Sequence, residues 1–389
     1  MTLQRPPRIK SDAASSAFAH HTMQVRVPVI VDEAIANNPD FPLAVRERLA
    51  RLADGLRRGA ALPELSAASP HASTWLSELA LRSGQGWLDT DWFFAENYAY
   101  RQITECVEFW TERRDPFLPI KREDYASAAH GEAFERALAL SGTPEEHLYE
   151  LLKLVLFGNR MDLSFAAARE RGTHSLDEDL ICDDRERAVA RLMRGSGPLH
   201  LVIDNAGTEL TLDLVLADFA LQALKTKVVL HLKVHPAFVS DATATDVLRF
   251  LEEESPQRPA GSAARACVER LQKARVRGDL ELAPHPYFNG PLSLWDLPAD
   301  LEQRFLGARL VVLKGDAHYR RALGDAIWPA ATPFVDVTAY FPAPLLALRT
   351  LKSEPMVGLA EGRAEALDVE DPTWRVNARR AVASLGGRL

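Results

Sequence analysis

Hydrophobic spacing changes period once along this chain of 389 residues. Before about residue 195 the apolar positions recur at helical intervals. After it, short apolar runs alternate with helical patterns. Val45, Leu49, Leu52 and Leu56 fall on one face of a helix predicted over 42–56. A longer helix, over 89–113, carries Trp92, Phe93, Tyr100, Phe109 and Trp110, with Glu96 and Arg101 set among them. Charges on an aromatic face are paired or point into a cleft. Asp115-Pro116 ends that helix, and two more are predicted at about 131–140 and 145–156. Residues 1–24, polar and carrying Pro6-Pro7 and Ser15-Ser16, predict a flexible lead. No strand is predicted before Gly195.

Past Gly195-Ser196-Gly197, strands are predicted at 199–203, 227–233, 278–283, 309–313, 333–337 and 380–385. Helices are predicted near 209–224, 242–253, 262–275, 298–307 and 317–323. Such alternation makes a mostly parallel sheet covered on both faces. The fold class is therefore α/β, a three-layer α/β/α sandwich preceded by an N-terminal helical bundle. The expected division is a lead over 1–24, a helical domain over 25–195 forming one wall of the site, and a catalytic domain over 196–389.

Ligands of open α/β sheets bind beyond the carboxyl ends of the strands. The first strand ends in Asp204-Asn205, just before Gly207 and a helix start, where the two side chains are either caps or ligands. The second leads to Asp241, again a cap or a ligand. The third leads to a rigid loop, Pro284 to Gly290. The fourth delivers Lys314, Asp316, His318, Tyr319 and Arg320, and beyond the fifth lie Arg349 and Lys352. Asp204, Asn205 and Asp241 offer hard oxygen donors, which suit magnesium or manganese better than zinc. The cations Lys314, Arg320, Arg349 and Lys352 complement them. A metal, cations and a helix amino terminus together suit phosphoryl chemistry. Each residue alone is an ordinary cap or surface charge; their joint delivery is the signal.

Composition narrows the partners. The balance of 46 basic against 54 acidic residues gives a net charge of −8, which speaks against nucleic acid or an anionic membrane as partner. Cys106, Cys182 and Cys267 lack CxxC spacing and read as reduced thiols of a cytoplasmic protein. No apolar run is long enough to span a bilayer, and no h-region follows the first basic residues. P-loop, GxGxxG, GxSxG and HExxH patterns do not occur.

Five separated motifs resemble the DUF89 family of metal-dependent damage-control phosphatases: IDNAGTEL at 203–210, VSD at 239–241, KGDAHYR at 314–320, RTLK at 349–352, and WFFAENYAYR at 92–101. FGNRMDLS at 157–164 and WRVN at 374–377 extend the likeness to about residues 85–380. The RTxK element points to the subfamily acting on sugar phosphates, which has also been described as a protein-glutamate methyltransferase. The resemblance implies that Asp204, Asn205 and Asp241 hold a divalent metal, manganese or magnesium, with nickel or cobalt as further options. It implies that the Asp316–Arg320 segment and Lys352 contact a small phosphorylated sugar of the fructose 1-phosphate or fructose 6-phosphate type. Glu96, Arg101, Asn159 and Asp162 match positions that line or support the cleft. His318 stands where the family usually has Asn, which implies an altered substrate preference. The expected function is metabolite damage control by phosphomonoester hydrolysis, the nucleophile being water or Asp204. The alternatives are an S-adenosylmethionine-dependent methyltransferase, for which the single glycine of IDNAGTE offers little support, and a non-catalytic sugar-phosphate binder. The latter would not need Asp204, Asn205 and Asp241 together.

Overall fold

A computed structural model describes residues 4–158 and 176–389. A seven-stranded sheet lies at its centre, formed by β1 (Leu180–Asp183), β2 (Leu199–Val202), β3 (Val228–Leu232), β4 (Leu280–Pro284), β5 (Leu310–Lys314), β6 (Pro344–Thr350) and β7 (Ala381–Gly387). The strand order is β1-β7-β6-β5-β2-β3-β4. Every pairing is parallel except β6 with β7. The central strands are buried along their whole length, because helices cover both faces.

Alternation along β2 divides the core. Leu199 and Leu201 face one layer, together with Leu230, Leu310, Val312 and Leu346. Val202 joins Val311, Leu313, Leu345 and Ala347 on the other. The first face is covered by helices from both halves of the chain: α5 (Ala128–Leu138), α6 (Pro144–Phe157), α7 (Arg185–Arg194), α8 (Thr208–Gln222), α9 (Ala244–Gln257) and α10 (Ala263–Arg277). The second face is covered by shorter elements, among them Ala299–Phe305 and α11 (Asp316–Leu323). A third core joins the chain's first helices, α1 (Val27–Ala36), α2 (Leu43–Arg57) and α3 (Trp92–Cys106). Between α3 and α5 runs α4 (Leu118–Ala126).

Three expectations need correction. The flexible lead is instead docked. Ile9 is buried and exchanges backbone hydrogen bonds with Asp325 and Trp92, while Ser16 caps the helix Ala17–His21. Met23, Val27, Val31 and Ala34 then face the third core at helical spacing. Ser15-Ser16 resembles a linker in sequence because a capping serine and a linker serine are the same residue. The strand expected at 333–337 is a helical turn, Phe334–Val337, opened by Pro333; the strand forms at Pro344–Thr350. Finally, Leu180–Asp183 is a strand where none was expected. It is a short edge, defined only by its partner β7. The helical half is thus divided between its own core and the sheet's cover.

Candidate active site

The strand order reverses at β2, whose successor in sequence, β3, lies on one side and β5 on the other. A crevice therefore opens above the carboxyl ends of β2 and β5. Here lies a cavity of about 640 Å³, lined by Glu96, Asp204, Asn205, Asp241, Asp316, Arg320 and Lys352. Phe18, Thr22, Arg26, Val29, Ile30 and Glu33 close it from the N-terminal segment, and Trp92, Phe238, Val239, Ser240 and Ala317 complete the wall.

The loops after β2 and β3 are laced together. Ala242 donates its amide to the Asp204 carbonyl at 2.7 Å, and Ala206 donates to that of Ser240 at 2.6 Å. Asn205 and Asp241 thereby stand as partners in an antiparallel bridge. Neither aspartate is spent on a helix cap. The amide of Thr208, at the start of α8, donates to Asp124 at 2.9 Å, and that of Thr243, ahead of α9, donates to Asp246 at 2.8 Å. Helix capping therefore occupies neither acid of the two strand ends. Asn205 is oriented by three bonds: its amide donates to Asp204 at 3.1 Å and to Glu209 at 2.9 Å, and its oxygen accepts from Ser240 at 2.7 Å.

Two glycines are needed for close approach. Gly207, at φ 71°, leaves room for Asp124, whose carboxylate would lie 1.7 Å from an added Cβ. Gly315, at φ 82°, lets the loop after β5 press on Asp204; a Cβ there would lie 1.9 Å from its carboxylate. The Gly of the KGD motif thus belongs to the geometry of Asp204.

Burial raises the Asp204 carboxyl well above the usual range, and the charges of Asp241 and Glu209 add to the shift. Burial also raises Asp241, against the pull of Lys233, whose ammonium lies 2.9 Å from its Oδ2. Two crowded, buried carboxylates beside an amide oxygen form a donor set that fits a hard divalent cation, since such a charge offsets their repulsion. Asn205 would be the third donor, and among the described residues no cluster of three His, Cys, Asp or Glu forms a metal nest.

The basic residues divide sharply. Lys352 lines the cavity; its ammonium makes no hydrogen bond or ion pair among the described residues and bears on Asp204 through its charge, while its amide donates to Asp316 at 3.0 Å. Arg320 also reaches the cavity, but is held by Glu96 at 2.5 Å and Asp325 at 2.7 Å and lies over Trp92 at 3.5 Å. Burial raises Glu96 despite that contact. Asp316 stays below the usual carboxylate range, burial being outweighed by Arg349 and Arg320.

Arg349 and Lys314 are buried and stand behind the wall instead of in it. Arg349 donates to Asp316 at 2.7 Å and to Ser353. Lys314 pairs with Glu209 at 2.8 Å and Asp213 at 3.0 Å. Tyr319 stacks on Phe334, and His318 is buried against Phe288. Arg101 bonds Ser69 and Glu105, away from the cavity lining. Asn159 and Asp162 lie outside the described residues. Sequence reasoning missed Lys233, Glu209 and Arg26. Lys233 had a signal, a charge ending the apolar run VVLHL. Arg26 had none, being placed by the docking of the lead.

The comparisons with known proteins agree with this architecture. The family model for the damage-control phosphatase ARMT1-like domain matches residues 22–367. The chain is 27% identical to the damage-control phosphatase ARMT1 of Danio rerio, over 97% of this chain and 96% of that one. It is 30% identical to that of Mus musculus, over 79% and 78%. A DUF89 family protein of Pyrococcus horikoshii shares the fold at a TM-score of 0.50 and 13% identity, covering 95% of this chain and 97% of its own. With a match reaching from the docked N-terminal helices to beyond the RTLK element, the chain belongs to the damage-control phosphatase ARMT1-like family.

Proposed function

We propose that this chain is a metal-dependent phosphatase that hydrolyses phosphomonoesters of small sugar phosphates in the cytoplasm. The observation that carries the reading is one cavity lined by Asp204, Asn205, Asp241 and Lys352, the last with an ammonium that makes no hydrogen bond or ion pair among the described residues. Its volume of about 640 Å³ suits a hexose phosphate, within the roughly 300–1,000 Å³ of small-molecule sites.

Asp204, Asn205 and Asp241 would hold a divalent cation, manganese or magnesium, with nickel or cobalt as alternatives. Such an ion neutralises phosphate oxygens and polarises the ester. Lys352 donates to a phosphate oxygen, held in place by the bond from its own amide to Asp316. Asp316 is itself fixed by Arg349, so the RTLK element supplies both the cation and its brace. Asp204, the first side chain of the cavity floor beyond β2, is the group placed to attack or to orient water. Trp92 and Phe238 form the apolar side of the cavity, against which the carbon skeleton rests.

The test is phosphate release from a panel of sugar phosphates, with each of these metals and with EDTA. EDTA is expected to abolish turnover, and so are Asp204→Ala and Asp241→Ala, with the fold retained by circular dichroism. Full turnover in EDTA, or in either variant, would refute the assignment.

A further inference from the structure

The two loops that carry Asp204, Asn205 and Asp241 share one support, and it comes from the other half of the chain. Helix α4 contributes no residue to the cavity lining, yet it reaches the start of both following helices. Asp124 accepts from the Thr208 amide at 2.9 Å and from the Thr208 hydroxyl at 2.7 Å. One turn earlier, Lys121 is fully buried and donates to Asp246 at 2.9 Å and to Asp115 at 3.1 Å. Asp246 in turn accepts from the Thr243 amide at 2.8 Å and from its hydroxyl at 2.7 Å. Thr208 lies three positions beyond Asn205 and Thr243 two beyond Asp241.

We propose that Asp124 and Lys121 are positioning residues: α4 pins both strand-end loops from outside, setting the two aspartates and Asn205 at the separation their ligand requires. This rests on the phosphatase reading for its activity readout alone. Three observations favour it over ordinary helix capping. Gly207 admits the Asp124 carboxylate where any side chain would collide, so the contact is built into the loop that follows Asn205. A fully buried lysine shared by two carboxylates is an expensive way to join helices that apolar packing would join as well. The backbone bonds from Ala206 to Ser240 and from Ala242 to Asp204 couple the loops to each other, so a shift of either anchor moves both.

The experiment compares the full chain with Asp124→Ala, Asp124→Asn and Lys121→Met by site-resolved amide hydrogen exchange and by kinetics with a sugar phosphate and manganese. Loss of either anchor is expected to speed exchange at least tenfold at Ala206, Thr208, Ala242 and Thr243, with the core amides of β5 unchanged. It should lower kcat more than tenfold with KM shifted less than threefold. Asp124→Asn, which keeps one acceptor, should recover part of both effects. The proposal is overturned if exchange rises equally in β5, or if folded variants keep kcat within threefold of the parent. A parent chain inactive on every phosphate ester would refute the phosphatase reading instead, and the exchange pattern would still decide the role of α4.

Discussion

Lys352 and Arg320 show what separates a basic residue proposed to bind substrate from one that builds the site. Both line the cavity, but Arg320 is committed to Glu96 and Asp325, whereas the Lys352 ammonium makes no hydrogen bond or ion pair among the described residues. Removing Arg320 would strand buried carboxylates and damage the fold. Lys352→Ala should leave the fold and metal affinity intact and lower kcat/KM for a sugar phosphate. A charge-assisted hydrogen bond is worth about 1.5–3 kcal/mol, which sets the expected loss at roughly ten- to a hundredfold. Steady-state kinetics beside a manganese titration checks both halves. Unchanged kcat/KM would return the phosphate-binding role to another group.

At the scale of elements, the connection from β3 to α9 holds two adjacent residues at positive φ. Phe238 and Val239 have φ of 45° and 71°, a region that β-branched residues avoid. Ser240 donates its amide to the Phe238 carbonyl at 2.9 Å, closing a tight γ-turn of the rare kind. Such backbone costs about 1–3 kcal/mol and persists only where its surroundings enforce it. Here Phe238 packs on Tyr100 at 4.8 Å, and Ser240 is drawn to Asn205. Val239→Gly takes the same φ without strain. It should keep or raise the melting temperature while lowering kcat severalfold, because Ser240 is then held less firmly against Asn205. A variant that melts lower and keeps full kcat would show that the turn is not strained for the site's sake.

For the whole molecule, buried titratable groups set the response to pH. Burial holds His200 at about 4 and His235 at about 3, and it depresses His231 and His318 strongly as well. A folded pKa below the unfolded value near 6.5 gives stability that is present above pH 6.5 and lost as pH falls toward the folded values. The carboxyls that burial raises pull the other way. Asp213 is raised by burial to about 7, so its contribution is full below about pH 4 and lost as pH rises through 7. The informative quantity is therefore a difference between variants. His235→Asn should lose less stability than the parent chain between pH 6.5 and 4.5, by up to about 1.4 kcal/mol per pH unit, in chemical denaturation at several pH values. Parallel pH curves would show that His235 is not neutral in the fold.

Period and local chemistry determined much of this protein. The alternation of strands and helices after Gly195, the burial of the parallel strands, and the placing of Asp204, Asn205, Asp241, Asp316 and Lys352 beyond strand ends are all consequences of spacing that neighbouring residues carry within themselves. Tertiary structure alone decided the rest. Docking of the lead turned Phe18, Thr22 and Arg26 into a cavity wall, through contacts between residues as far apart as Ile9 and Asp325. The same long-range pairing made Leu180–Asp183 a strand only because β7 lies beside it. It also committed Lys314 and Arg349 to buried carboxylates, while Lys352 lines the cavity without an ion pair among the described residues. A sequence shows which side chains carry charge, but whether a charge is spent inside the fold depends on the partner it meets there, and those partners come from distant parts of the chain.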